Sequence, residues 1–436
     1  GIATAVGMAM AQRHLNARFG DDLVDHKTYV IVGDGCLMEG VSQEAITLAG
    51  HMKLDRLIVL WDDNSVTIDG NIDVADSTDQ CARLEASGWI TRKVDGHDEK
   101  DVEAALKWAQ KQKQPVFLAV KTIIGYGAPK LAGTGKAHGG PYGPDEIAGI
   151  RENIGWPHAP FEVPAAIEKA WKKVGERGAE ARKAWKERQM ASPHKGEFNA
   201  AMAGRLPKNL SKAIIKYKKA VVEGGEKKAT RQWSGAALEV LTHLVPEMVG
   251  GSADLTGSNN TKTAVTTPMT PSDWAGRYVH YGVREHGMAA AMNGMALHGG
   301  IIPYSGTFLV FADYSRGAIH EVLIVLEAVP EAMGGSPERA REHFARAVEL
   351  SEGNSAGPYV TLAESVSVAT QSRAEFERLL DLQPLPNHDQ QDARHRGWSV
   401  PDTKHFKTEI RAMKNVLQQS GYAPALTANQ PGQTSN

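Results

Sequence analysis

The chain has 436 residues, of which 42% are hydrophobic and 23% are charged, as in an ordinary globular protein of two or three domains. Its formal net charge of −2 excludes the strongly basic surface of a protein that binds nucleic acid or acidic membranes. No apolar run reaches the roughly 18 residues that a membrane-spanning helix needs, and two cysteines are too few for a disulfide framework. We therefore expect a cytoplasmic protein with neither a nucleic-acid nor a membrane partner.

The first 150 residues alternate between strand-like and helix-like segments. The predicted strands are 27–32, 56–61, 89–94 and 115–122, and the predicted helices are 2–18, 41–52 and 101–112. Short β-branched or apolar runs that alternate with helices predict a parallel sheet covered by helices on both faces. We assign residues 1–150 to one such domain.

The rest of the chain changes character several times. Residues 151–228 are rich in Lys, Arg and Ala and predict a helical linker, and residues 229–316 repeat the α/β pattern. Residues 317–382 predict a helical segment of different origin. The polar stretch 383–436 is rich in Gln, Asn, His and Pro, so we expect it to be mostly disordered.

Two polar turns follow neighbouring predicted strands. Gly33-Asp34-Gly35 ends the first strand, and Asp62-Asp63-Asn64 follows the second. The carboxyl edge of a parallel sheet is where ligands bind, and a hard divalent cation takes oxygen ligands that bridge it to phosphate. The pair therefore indicates a magnesium-diphosphate site. The alternative is two tight turns, one with an acidic residue and one with an Asn cap.

Longer motifs carry a resemblance to a known family. They are GDGCLMEGVSQEAITLAGHMKLDRLIVLWDDNSVTIDG at 33–70, DGHD at 95–98, KTIIGYGAP at 121–129, GGSADLTGSNNTKT at 250–263, YGVREHGMAAAMNGMALHGG at 281–300 and GTFLVFADYSR at 306–316. These blocks, in this order, closely resemble transketolase over about residues 1–316. The resemblance implies the thiamine-diphosphate-binding fold. Residues 1–150 would be its pyrophosphate-binding domain, and residues 229–316 part of its pyrimidine-binding domain.

The resemblance implies a metal and cofactor site in the first domain. Asp34 and Asn64 match side-chain ligands of magnesium, for which calcium or another divalent cation can substitute, and Val66 matches a backbone carbonyl ligand. Gly35 would lie against the diphosphate. Glu39 matches a buried glutamate that links the cofactor sites across a homodimer.

A second set of residues matches the part of the family that holds the pyrimidine ring. Glu285 matches the catalytic glutamate that shares a proton with the aminopyrimidine of the cofactor. Phe308, Phe311 and Tyr314 match the aromatic pocket for that ring. The alternative for Glu285 is an acid favoured by a helix dipole, and for the three rings it is an aromatic stripe in the core.

The substrate and the remaining cofactor contacts are also implied by the resemblance. His138 matches a histidine near the thiazolium ring and the substrate, in a catalytic and binding role. Arg231 and Ser258 match residues that bind the sugar phosphate, and an Arg fork suits a phosphate group. Asp254 and Leu255 lie in the segment that matches cofactor contacts at the dimer interface.

The implied activity transfers a two-carbon ketol unit from a ketose phosphate to an aldose phosphate, within the pentose phosphate pathway. The family places its cofactor between the first domain of one subunit and the second domain of its partner. Compared with that family, we expect the chain to lack an N-terminal segment and everything beyond Arg316, and therefore to be impaired. Residues 317–382 resemble the T component of TRAP transporters, or are simply two amphipathic helices. The alternative function is a non-catalytic cofactor-binding or interaction protein.

Overall fold

The computed structural model describes residues 1–316, 318–319 and 336–350. The predictions for residues 317–382 fall mostly outside the described residues, and the predicted tail at 383–436 falls entirely outside them. The helices are α1 (Ile2–Phe19), α2 (Asp34–Met38), α3 (Gly40–His51), α4 (Gln80–Ala86), α5 (Glu99–Ala109), α6 (Pro144–Asn153), α7 (Ala165–Glu176), α8 (Gly178–Ala191), α9 (Lys195–Met202), α10 (Leu210–Gly224), α11 (Thr230–Leu244), α12 (Thr256–Asn259), α13 (Glu285–His298) and α14 (Pro337–Leu350). The strands are β1 (Thr28–Val32), β2 (Leu57–Asp63), β3 (Val66–Thr67), β4 (Gly70–Asn71), β5 (Ile90–Asp95), β6 (Val116–Lys121), β7 (Met248–Ser252), β8 (Tyr278–His280) and β9 (Ile302–Pro303).

The first domain contains a four-stranded parallel sheet in the order β1-β2-β6-β5. Alternate residues of its strands point to opposite faces. Leu57 and Val59 of β2 join the core formed with α1 and α3, whereas Ile58 packs with Ala105 and Ala109 of α5. The predicted parallel sheet with helices on both faces is confirmed.

One edge of this sheet is open within the described residues. Strand β1 pairs with β2 on one side and has no strand on the other. Helix α5 packs on β5 and β6, and Gln110 at its C-terminal end donates to the hydroxyl of Tyr29 in β1 at 3.0 Å. On the face of the sheet opposite the core that contains Val30 and Val32, Ile31 is 76% exposed and Tyr29 is 45% exposed.

The second domain has a smaller parallel sheet in the order β8-β7-β9. Its central strand, β7, carries Gly250 and Gly251 between two aromatic rings. A Cβ atom at either glycine would lie 2.3 Å from a ring atom, of Tyr304 for Gly250 and of Tyr281 for Gly251. The two glycines therefore let these tyrosine rings lie flat against the strand.

Helices α1 and α13 join the two domains through backbone contact. A Cβ atom on Gly7 would lie 1.8 Å from the carbonyl oxygen of Ala291, and one on Gly294 would lie 1.9 Å from the carbonyl oxygen of Thr4. Both helices carry mostly Ala, Gly and Met where they meet. Small side chains let the helices approach this closely, and the flexible methionines fill the remaining space.

The linker touches the domains at few places. Helices α7, α8 and α10 contain no buried residue, whereas Phe198 of α9 is buried with its ring 5.5 Å from that of Phe19. The indole Nε1 of Trp185 donates to the carbonyl of Leu23 at 2.9 Å. These contacts fasten α8 and α9 to the end of α1. None of the described helices has the length and apolar character to cross a membrane.

Replacing Gly294 with alanine should lower the free energy of unfolding by roughly 2 kcal/mol, because the added methyl group forces α1 and α13 apart. The control is Gly175→Ala in α7, where a Cβ atom meets nothing within 4 Å. That variant should gain roughly 0.5–1 kcal/mol from helix propensity. Urea unfolding of both variants measures the difference, and equal effects would contradict the backbone contact.

Buried His14 should make the chain less stable in acid. Burial lowers the pKa of His14 to about 4, from an ordinary 6.5, against the opposing hydrogen bond from Nδ1 to the carbonyl of Trp274. Between these values the unfolded chain binds a proton that the folded chain does not, so stability falls as the pH falls through that window. This group should contribute a loss of roughly 3 kcal/mol between pH 7 and pH 4.

The loss is measured by urea unfolding at a series of pH values. His14→Gln should flatten the dependence, whereas replacing the exposed His51 with Gln should leave it unchanged. An identical pH dependence in wild type and His14→Gln would contradict the role of His14.

Candidate active site

The predicted metal-binding residues lie at the carboxyl edge of the first sheet. Strand β1 ends at Val32, which pairs with Trp61 of β2, so the chain leaves both strands on the same side. Asp34 opens helix α2 directly after β1, whereas the sequence predicts only a turn there. Asn64 follows β2, and α2 packs against β2 and β3. The structure therefore brings Asp34, Asn64 and Val66 to one edge.

Hydrogen bonds hold these polar groups in place. The indole Nε1 of Trp61 donates to Oδ1 of Asp34 at 3.1 Å. The amide nitrogen of Asn64 donates to Oδ2 of Asp62 at 3.2 Å, and its oxygen accepts from the backbone N–H of Val66 at 3.0 Å. This Asn turn fixes the backbone between Asn64 and Val66, where Ser65 adopts a φ of 60°.

The electrostatics of this edge favour a cation. Burial raises the pKa of the Asp34 carboxyl, which is 5% exposed, and the charges of Asp63 and Asp62 raise it further. The hydrogen bond from Trp61 and the charge of Lys121 oppose that rise. A divalent cation would relieve the repulsion among the three carboxylates.

The available donors suit a hard cation that keeps phosphate or water ligands. Among the described residues there is no group of three or more His, Cys, Asp or Glu side chains that could hold a metal by themselves. The predicted ligand oxygens at this edge are the carboxylate of Asp34, the amide of Asn64 and the backbone carbonyl of Val66. Magnesium fits such a set, because it usually binds through one or two carboxylates and completes its shell with water and substrate phosphates.

A second group of predicted residues surrounds the start of α13. Glu285 is the first residue of α13 and is 6% exposed. The backbone N–H of Gly287 donates to Oε2 of Glu44 at 2.6 Å, and the hydroxyl of Tyr314 donates to Oε1 of Glu44. The hydrogen bond to Glu44 raises the pKa of Tyr314 to about 12, with smaller contributions from burial and from the charges of Glu44 and Glu285.

The aromatic residues near this helix form an exposed surface. The rings of Phe308 and Phe311 stack with centroids 6.3 Å apart, yet the two residues are 43% and 40% exposed. Tyr314 is 52% exposed, and its ring meets that of His286 edge to face at 5.6 Å. These residues are therefore not a stripe within the core of the chain, which was the alternative interpretation of their spacing.

Family comparisons agree with this geometry. Residues 1–208 match the family model for the transketolase thiamine diphosphate binding domain, and residues 226–336 match that for the transketolase pyrimidine binding domain. A transketolase from Cereibacter sphaeroides is 53% identical over 330 residues, which are 76% of this chain and 50% of the relative. Over these residues, the chain belongs to the transketolase family.

Solved transketolases have the same fold over the matched part. The enzyme from Leishmania mexicana superposes with a TM-score of 0.68 at 37% identity, covering 74% of this chain and 49% of that one. A transketolase from Pichia stipitis, solved in complex with sedoheptulose 7-phosphate, gives the same TM-score and identity and is covered to 50%. The chain spans about half the length of the relatives it matches. Residues 310–389 also match the TRAP transporter T-component, so the predicted second resemblance is confirmed.

Within this transketolase framework, Glu39 differs from the expected buried glutamate. It lies between α2 and α3, where the chain turns, and its side chain is exposed in the single chain. The expected burial belongs to a contact across a homodimer, so it stays a prediction. Gly35 is also exposed, on the outer side of α2.

The predicted substrate residues are less clustered. Arg231 lies exposed on α11, and Ser258 lies exposed on α12, a helix that packs against α11. Asp254 precedes α12 with a φ of 59°, and Leu255 donates its backbone N–H to Oγ of Ser252 at 3.1 Å. His138 lies exposed in a loop after the turn Gly135–Ala137. The described contacts do not link His138 to either of the other groups.

Two residues at this site carry no role in the sequence prediction. Glu44 and Trp61 both lie inside the longest family block, at 33–70. Trp61 directly precedes the predicted Asp62-Asp63-Asn64 turn, and this position could have identified it as a residue of the site. No local pattern could have identified Glu44, because its partner Gly287 is 243 residues away in the sequence.

Glu44→Ala should lower the free energy of unfolding by about 1–2 kcal/mol, because an N–H in the first turn of α13 loses its acceptor. Urea unfolding measures the change. The matched control is Glu187→Ala, at an exposed position on α8; its effect should stay within about 0.5 kcal/mol. A Glu44→Ala variant as stable as the control would contradict the contact.

Proposed function

We propose that the chain binds thiamine diphosphate through a divalent cation at the carboxyl edge of the first sheet. Asp34, Asn64 and the carbonyl of Val66 would hold magnesium, calcium or a similar ion, and Gly35 would lie against the diphosphate. The convergence of Asp34 and Asn64 at adjacent strand ends carries this proposal. The match of residues 1–208 to a thiamine diphosphate binding domain supports it.

The proposed reaction is transfer of a two-carbon ketol unit from a ketose phosphate to an aldose phosphate, in the pentose phosphate pathway. When bound, thiamine diphosphate supplies the carbanion chemistry of that transfer. Glu285 would contact the aminopyrimidine, and its position as the first residue of α13, with 6% exposure, supports such a role because a buried contact excludes water. Phe308, Phe311 and Tyr314 would enclose the pyrimidine ring.

The sugar phosphate would be bound by residues on three separate elements. Arg231 on α11 would pair with the phosphate group, and Ser258 on the neighbouring α12 would donate a hydrogen bond to it. His138 would face the reacting end of the sugar. Asp254 and Leu255 would approach the cofactor from the segment before α12.

A homodimer is the proposed assembly. The exposed aromatic surface of Phe308, Phe311 and Tyr314 is apolar enough to need a cover, and a second copy of the first domain would supply one. The exposed Glu39 would be buried by the same contact. We further propose a cytoplasmic location, which the unpaired thiols of Cys36 and Cys81 support.

The second candidate function is a binding protein without turnover. The match of residues 310–389 to the TRAP transporter T-component favours it, because that stretch begins within the aromatic surface and includes Phe311 and Tyr314.

Calorimetric titration with thiamine diphosphate, with and without magnesium, tests the site. Binding should require magnesium, and Asp34→Ala should weaken it by about 100-fold through loss of the charged ligand. Asp22→Ala removes an exposed carboxylate from the loop before β1, whereas Asp34 follows that strand, and it should leave binding unchanged. Binding that ignores both magnesium and Asp34→Ala would contradict the proposed site.

Ketol transfer from xylulose 5-phosphate to ribose 5-phosphate then separates the two functions. Turnover that Glu285→Ala abolishes supports the enzyme. Magnesium-dependent cofactor binding by soluble, folded protein without turnover supports the binding protein instead.

A further inference from the structure

Trp61 is the side chain that contacts the key carboxylate of the proposed site. Its indole Nε1 lies 3.1 Å from Oδ1 of Asp34. Within the described residues, no other side chain donates a hydrogen bond to Asp34. The bond uses one lone pair of Oδ1, and Oδ2 accepts no side-chain hydrogen bond within the described residues.

The indole is itself held rigidly. Trp61 belongs to β2 and pairs with Val32 of β1 on one side and Ala119 of β6 on the other, so its backbone sits inside the sheet. Its ring stacks on Phe117 of β6, with centroids 5.7 Å apart and planes 25° from parallel. Two strands and one ring thus fix the direction of the N–H group.

The position of Asp34 needs such a restraint. Asp34 begins α2, a helix of five residues, and the carboxylates of Asp62 and Asp63 act on it as like charges. Repulsion from those carboxylates would turn the Asp34 side chain away from the strand ends. A fixed donor opposes that rotation and stabilises the anion.

We propose that Trp61 is a positioning residue, which orients Asp34 for the divalent cation by donating from its indole N–H. The inference rests on the proposed function and adds to it the group that prepares the ligand. Donors behind a metal ligand commonly change metal affinity by ten- to a hundred-fold when removed, because the ligand loses its orientation.

Trp61→Phe removes the donor and keeps an aromatic ring over Phe117. With the full chain at pH 8, the magnesium concentration that gives half-maximal thiamine diphosphate binding should rise by about ten-fold. At saturating magnesium, the cofactor affinity should return close to the wild-type value. This split distinguishes a positioning role from a general loss of structure, which would weaken binding at every magnesium concentration.

Two further variants complete the test. Trp61→His restores an N–H at a similar distance from the backbone but loses half of the ring, and it should recover most of the magnesium affinity. Trp89→Phe removes another buried indole donor, whose Nε1 donates to the carbonyl of Ile46 at 2.9 Å away from the site. It should cost stability without changing the magnesium requirement.

The outcomes separate the inference from the function on which it rests. A wild-type chain that binds thiamine diphosphate without magnesium overturns both. A magnesium-dependent wild type with an unchanged requirement in Trp61→Phe overturns the positioning role alone. A raised requirement in Trp61→His as large as in Trp61→Phe overturns it as well, because the donor would then be irrelevant.

Discussion

The contact between α1 and α13 is the constraint on which the rest of the molecule depends. Gly7 and Gly294 allow the two backbones to touch, and no larger residue fits at either position. The contact places the start of α13, with Glu285, beside α3 of the first domain. There Glu44 accepts hydrogen bonds from Gly287 and Tyr314. A single helix pair thus sets the relation between two halves of a site whose residues come from distant parts of the sequence.

The part of the site around Asp34 and Asn64 comes from one short stretch of sequence, and local patterns are enough to predict that these residues lie at one edge of the sheet. Asp34 and Asn64 each follow a short apolar strand, and parallel pairing of those strands is enough to bring them to one edge. Helix α1 was predicted to within one residue from its Ala and Met content, and α5, whose apolar and polar positions repeat regularly, was predicted to within three residues. Helix α2 was missed because five residues carry too little periodic signal.

The second half depends on contacts that no local pattern encodes. The partners Glu44 and Gly287 are 243 residues apart, and His14 meets the carbonyl of Trp274 across 260 residues. The Gly and Ala content of α1 and α13 is visible in the sequence, but nothing in it says that these two helices face each other. The sequence also does not predict how exposed Glu39, Phe308 and Phe311 are, because their exposure depends on contacts with other parts of the structure or with a second chain.

Within the part of the chain that the structure describes, no strand pairs with the outer edge of β1, and this edge affects aggregation in solution. Its outer row of backbone N–H and C=O groups can pair with any extended chain, and Ile31 adds an apolar side chain to that edge. Lys27 directly precedes β1. A charged side chain at a strand edge opposes pairing with another strand, but Lys27 lies only at the start of this one. The fraction of aggregated protein should therefore rise with protein concentration, because pairing at this edge joins two chains.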